Sequence, residues 1–249
     1  MKNNDEVLKN SINTEYDERR LNYKIEQIVA AQGTSEYLWM QARTAVIPGE
    51  NPEIVTTIQK TLKEGTHPYH DIYETRSYDM GKTWSEPQVI PNLRRKELEN
   101  GYEKVIGDLW QSWHANTRTI LGTGKSFFFP PDESRDNVYL QEVAYCIWDE
   151  KTKEWSLPKS VEMPKFDNSG NPLMQPNAGC TQRYDLANGE VLLPFRYSRR
   201  RSRRYVSAVM LCTFDGETLS YIEHGSEFTI DRERGLCEPS LTKHDGEYF

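Results

Sequence analysis

Several places in the sequence gather side chains able to do chemistry. His114 follows Trp110 and Trp113 in a stretch with few charges. Aromatics beside a polar ring make a stacking platform next to a hydrogen-bonding or proton-transfer group, as a sugar pocket does; the alternative is a core histidine under the two indoles. Asp71 ends the run His67-Pro68-Tyr69-His70-Asp71, whose titratable groups form either a site on a strand edge or a solvated loop. These histidines with Asp71 are the one conceivable metal set, but Pro68 works against presenting them from a helix, and no metal site is expected. Glu238 stands directly before Pro239, which favours extended backbone at Glu238. With Arg234 four residues earlier, it forms a pair able to hold a substrate carboxylate or tune a nucleophile. Gln182 and Arg196, each beside a strand-like segment, are further pocket candidates. Arg199-Arg200-Arg201-Ser202-Arg203-Arg204 holds five arginines in six positions. It reads as a solvated hairpin turn or as a contact for anionic polysaccharide or phosphate, because guanidinium offers a rigid fork to such groups.

The elements that must position these residues are mostly strands. With 15 Gly and 13 Pro in 249 residues, the chain is punctuated often, and its 14 Tyr and 6 Trp suit many short strands. Expected strands are Tyr37–Ala42, Ile54–Gln59, Asp71–Ser77, Val138–Trp148, Glu190–Phe195 and Tyr205–Phe214, each bounded by turn formers. Only residues 17–32 show a helical period, with Leu21, Ile25, Ile28 and Val29 on one face, so an N-terminal tail and amphipathic helix (1–34) are expected before an all-β domain (35–249). Cys146, Cys180, Cys212 and Cys237 lack the close pairing of a zinc site and read as buried small apolar residues. No cofactor is implied. The net charge of −7 argues against a nucleic-acid partner, and no apolar run long enough to span a membrane and no secretory signal is visible, which makes cytoplasmic the default expectation.

A repeat sharpens the fold. Ser77-Tyr78-Asp79-Met80-Gly81-Lys82-Thr83-Trp84 is echoed by Trp148-Asp149-Glu150-Lys151-Thr152-Lys153-Glu154-Trp155 and again by Cys212-Thr213-Phe214-Asp215-Gly216-Glu217-Thr218. Strand, Asp turn and strand recurring every 66 to 70 residues indicate the four-stranded units of a β-propeller. An Asp in a tight turn accepts backbone N–H groups a few residues on, Gly81 takes positive φ without a Cβ clash, and Trp84 anchors the next strand. The motif is a folding device, and Asp79 is read as structural.

The first passage fills every fixed position of the Asp-box, S-x-D-x-G-x-T-W. Around it, the segments Gln41–Gly49, Trp113–Gly124, Asn188–Phe195 and Arg234–Ser240 also resemble sialidase-like proteins with neuraminidase repeats. This resemblance implies a six-bladed propeller, of which the chain holds about three to four blades, and therefore a partial chain. It also implies a glycoside hydrolase acting on a terminal, acidic sugar of a glycan. Sialidases grip a sugar carboxylate with arginines and use a Tyr–Glu nucleophile with an Asp acid/base. By this likeness Arg43, shortly before Ile47-Pro48, takes the place of the first arginine, although Thr44-Ala45-Val46 intervene. Asp71 takes that of the acid/base, and Glu238 that of the Glu-Pro element. The resulting expectation places Asp71, His114 and Glu238 in catalysis and Arg43, His70, Gln182, Arg196 and Arg234 in substrate binding. Alternatives are a propeller-type lyase acting on uronate, with His114 and a Tyr or Arg removing the proton, and a non-catalytic carbohydrate-binding propeller.

Overall fold

The computed structural model describes residues 31–63, 69–131, 140–200 and 204–249. The expected helix falls almost wholly outside the described residues; its last two positions, Ala31 and Gln32, are not helical. The remainder is all-β, in three antiparallel sheets of one design and the beginning of a fourth. Sheet 1 contains β1 (Tyr37–Ile47), β2 (Glu53–Leu62), β3 (Tyr69–Ser77) and β4 (Gln88–Val89), in that order. Sheet 2 orders β5 (Lys96–Glu97), β6 (Glu103–His114), β7 (Thr119–Phe129), β8 (Gln141–Asp149) and β9 (Lys159–Ser160). Sheet 3 holds β10 (Met174–Asn177), β11 (Tyr184–Asp185), β12 (Val191–Ser198), β13 (Val206–Phe214) and β14 (Leu219–His224), with β11 paired to β12 beside the path β10-β12-β13-β14. A hairpin of β15 (Lys243–His244) and β16 (Glu247–Tyr248) follows.

The middle sheet explains why the sheets stack as blades. Along β8, Ala144, Cys146 and Trp148 pack with Ala45, Ile47, Val55 and Ile72 of sheet 1. The alternate residues Val143, Tyr145 and Ile147 pack with Val191, Leu193, Phe195 and Tyr197 of β12 and with Val206, Ala208, Met210 and Cys212 of β13. Side chains of a strand alternate between faces, so a strand buried on both sides must be apolar at nearly every position. Each such side chain, fully buried, contributes about 1.5–3 kcal/mol relative to exposure. This repeated face-to-face packing of four- and five-stranded sheets is that of part of a β-propeller.

The Asp turns lie between the last two strands of each sheet, β3 and β4, β8 and β9, and β13 and β14. Asp79 accepts Thr83 N–H at 2.9 Å and the Thr83 hydroxyl at 2.7 Å, Gly81 has φ +87°, and Trp84 Nε1 donates to Gly81 O at 3.1 Å. Asp149 accepts the N–H groups of Lys151 (2.7 Å) and Thr152 (2.9 Å), and Asp215 those of Glu217 (2.8 Å) and Thr218 (2.7 Å). These bonds to the charged form hold the Asp79 carboxyl down to about 2. Because neighbouring strands are antiparallel, the beginning of each first strand and the β2–β3, β7–β8 and β12–β13 connections lie at the end opposite these turns.

Two long strands, β6 and β7, were not among those expected. They are broken in sequence by Gly107, Gly122 and Gly124. A Cβ on Gly124 would stand 2.8 Å from Gly107 O, and one on Gly122 3.0 Å from Leu109 Cδ1, so these glycines mark close approach inside a pair of strands.

Candidate functional site at the meeting of the inner strands

The first strands of the sheets converge. Cys180 N, three residues past β10, donates to Asp108 O of β6 at 3.0 Å, while its Sγ lies 3.4 Å from Gln41 Oε1 of β1. Buried Gln111 of β6 donates to Arg43 O at 2.5 Å and accepts Thr57 Oγ1 at 2.9 Å. Each of β1, β6 and β10 carries a register shift: between Met40 and Arg43, Gly107 and Trp110, and Met174 and Asn177. At each shift one non-glycine residue takes positive φ: Gln41 at 57°, Asp108 at 53° and Gln175 at 54°. Glu238, at 53°, follows at a similar interval. A bulge turns a side chain out of its strand's alternation, and a left-handed non-glycine residue costs about 1–3 kcal/mol, so such positions gather at functional sites. The extended backbone expected for Glu238 is therefore corrected, for it is left-handed despite Pro239.

The polar side chains brought together are Arg43, Asp108, Lys125, Cys180, Glu238 and Tyr69. Asp108 and Lys125 form an ion pair with both side chains almost fully buried, and the second carboxylate oxygen of Asp108 has no partner. Lys125 also lies over the Phe127 ring. Arg43 stacks on Trp110 at 4.6 Å and donates to Ala42 O and Gln41 Oε1, leaving its buried Nε unpaired. Burial pushes the Cys180 thiol up to about 11, with the carboxylates of Asp108 and Glu238 adding and Lys125 and Arg43 opposing. Tyr69, stacked on Phe127, is pushed up to about 12 by burial and then by Asp108, Cys180 and Glu238. Its phenolate is thus disfavoured here. Cys180 and Cys237 are half-buried rather than core residues, whereas Cys146 and Cys212 are buried as expected.

The other expected site residues are distributed differently. His114 is fully buried; its Nδ1 lies 2.8 Å from Thr117 Oγ1, its Nε2 3.0 Å from Gly189 O, and its ring edge meets Phe214. It ends β6, next to the pair Thr119–Asp149, and so stands at the Asp-turn end, away from the convergence. Both nitrogens are occupied by protein, and we remove His114 from the catalytic set. Asp71 accepts Arg95 N–H at 2.9 Å and lies 4.0 Å from Arg94 Nε, which ties β3 to the start of β5. Beside it His70 is held below the usual imidazole range by burial and by Arg95. No described contact joins either one to Arg43, Asp108 or Glu238. Gln182 is exposed and acts through its backbone, receiving Leu241 N–H at 3.1 Å. Arg234 is exposed, and its carbonyl receives Tyr205 N–H at 3.0 Å. Arg196 is buried and pairs in register with Ser207, whose hydroxyl donates to Leu236 O at 3.2 Å, two residues before Glu238. Asp108, Lys125 and Tyr69 were not singled out from sequence. Among the described residues no group of three or more His, Cys, Asp or Glu is arranged to hold a metal, and no helix is long and apolar enough to cross a membrane.

No protein-family model matches the sequence, and no curated protein is similar to it. Among solved structures, the chain is similar to a Hadza microbial sialidase (Hz136) at 13% identity and TM-score 0.53, covering 82% of this chain and 39% of that one. It is also similar to a protein of unknown function from Dyadobacter fermentans at 19% identity and TM-score 0.57, covering 87% of this chain and 62% of that one. The likeness is one of fold, the β-propeller class that includes that sialidase, and the chain spans less than two thirds of either match.

Proposed function

We propose that this propeller belongs to a glycoside hydrolase acting on a terminal, acidic sugar of a glycan, with its site at the convergence of the inner strands. The observation that carries the reading is the set of left-handed bulge residues presenting Asp108 and Gln41 beside Arg43, Lys125 and Glu238. Arg43, with Nε unused, would take the sugar carboxylate, and Arg196 would flank the segment that bears Glu238. Glu238, exposed and without a hydrogen-bond partner among the described residues, would donate the proton to the leaving oxygen as the glycosidic C–O bond breaks. Asp108, fixed as an ion pair, would face the positive charge that develops on the sugar, and water would complete the exchange. Glu238 thus takes the acid/base role expected for Asp71, and Asp108 joins it as the second carboxylate because both stand at the convergence. Burial of the Tyr69 phenol favours two carboxylates over Tyr69 as nucleophile, and with both nitrogens of His114 held by protein the lyase reading would rest on a Tyr or Arg base alone.

Incubation with aryl glycosides of sialic and glucuronic acids, followed by chromatography of the free sugar, tests this. Release of the acidic sugar without the ultraviolet absorbance of a new double bond is expected. A new double bond would establish the lyase, and binding without turnover the non-catalytic propeller.

A further inference from the structure

The arginine run, which the central site does not use, borders a groove of its own. It measures about 420 Å³ and is lined by Arg199, Arg200, Arg204, Tyr205, Thr229 and Ile230 among others. Its wall is built with some rigidity. Arg199 is locked to Asp167 (2.6 Å) and Glu227 (2.9 Å), and Asp167 also receives the Tyr197 hydroxyl at 2.9 Å. Arg204 meets the exposed Asp231 at 3.0 Å, and Arg200 has no partner among the described residues. Tyr205 is half-buried and hydrogen-bonded to Arg234 and Leu236 on either side of Gly235. Behind its ring, 3.8 Å from the centroid, lies the guanidinium of Arg196, which does not line the groove. Arg196 is 7% exposed, and its Nε and Nη1 are buried with no hydrogen-bond partner.

A buried guanidinium with no carboxylate partner among the described residues leaves positive charge behind the groove wall, which favours an anion in front of it. The aromatic ring, held flat by that cation and flanked by Ile230, suits the apolar face of a sugar, and arginines suit the planar or tetrahedral anions that sugars carry. We propose that this groove is a second carbohydrate-binding site, for a glycan unit bearing sulfate or carboxylate, with Tyr205 as the platform and Arg200 and Arg204 as the anion contacts. The site is independent of any reaction at the centre.

Titration calorimetry of the full chain with a chondroitin sulfate tetrasaccharide, a hyaluronan tetrasaccharide and neutral cellotetraose tests the inference. Binding of at least one of the anionic sugars is expected, at least about tenfold tighter than cellotetraose and weakening with salt. Arg200→Glu, on an exposed side chain that cannot unfold the sheet, should weaken binding about tenfold or more, and Tyr205→Leu should do so comparably. Absence of binding by both anionic sugars, equal affinity for cellotetraose, indifference to Arg200→Glu, or tighter binding of a phosphopeptide of equal charge would each overturn it.

Discussion

His114 offers the sharpest test of how this molecule is divided into structure and site. The perturbation is His114→Ala. Removing a fully buried ring that packs on Phe214 leaves a cavity, for which large-to-small substitutions cost about 2–5 kcal/mol. The stranded partner, Gly189 O, adds about 1–3 kcal/mol, whereas Thr117 Oγ1 keeps Thr119 Oγ1 at 2.8 Å. Taking values near the lower ends gives a loss of about 4 kcal/mol, and at about 2–4 °C per kcal/mol for a chain of this size, Tm should fall by about 8–16 °C. Burial holds the imidazole below its ordinary range, so the folded protein keeps it neutral while the unfolded chain protonates near pH 6.5. Stability therefore falls as pH drops below about 6.5, and the variant, lacking this group, should lose less over the same interval. The assay is thermal unfolding followed by circular dichroism from pH 5 to 8, with glycan turnover measured well below Tm. A variant with unchanged Tm that nonetheless lost turnover would refute the structural assignment and return His114 to the site.

Three other outcomes follow from the same geometry. Glu238→Gln should keep the wild-type Tm within about 1 °C, since the side chain is exposed, while lowering turnover at least about a hundredfold; near-normal turnover in the folded variant would exclude it from proton transfer. Asp108→Asn leaves Lys125 buried without its counter-charge, so urea denaturation should show a loss of about 3–5 kcal/mol, and a double variant with Lys125→Met should recover part of it. Asp79, whose carboxyl is held down to about 2, stabilises the turn above the unfolded value near 4, and that contribution is lost as pH falls through about 2. An acid titration of Asp79→Asn should consequently show a shallower fall in stability between pH 4 and pH 2 than the wild type.

The sequence made the Asp turns and several strands legible because their causes are local. Eight residues, Ser77 to Trp84, contain every donor, acceptor and backbone freedom the first turn needs. Strand β8 was equally clear, because burial on two faces leaves an unbroken apolar run. β6 and β7 escaped notice for the opposite reason: glycines required for close strand packing look like turn punctuation in a linear reading. The environment of His114 was hidden from the sequence for a related reason. Trp113 packs toward sheet 1 whereas the adjacent His114 reaches Gly189 and Phe214 of sheet 3, so neighbours in sequence occupy opposite faces and never form a platform.

The centre was only half legible, and the reason lies in the backbone. Gln41, Asp108, Gln175 and Glu238 share no residue type, so no pattern of letters links them, yet each adopts nearly the same positive φ at an interval close to that of the Asp turns. If these positions served only to bend the strand, glycine would adopt the conformation without strain and would be the expected residue. At Gln41 and Asp108 the side chain is used instead: Gln41 Oε1 meets both Cys180 and Arg43, and Asp108 holds Lys125. At these two positions the strain of the left-handed residue is thus coupled to a polar group delivered to the same small volume, and the blade repeat, which elsewhere packs apolar sheets, supplies the register that brings those groups together. A centre assembled this way is a property of several strands at once: Arg43 and Glu238 were expected from their sequence neighbours, whereas Asp108 on β6, Lys125 on β7 and Tyr69 on β3 come together only when the strands are placed side by side.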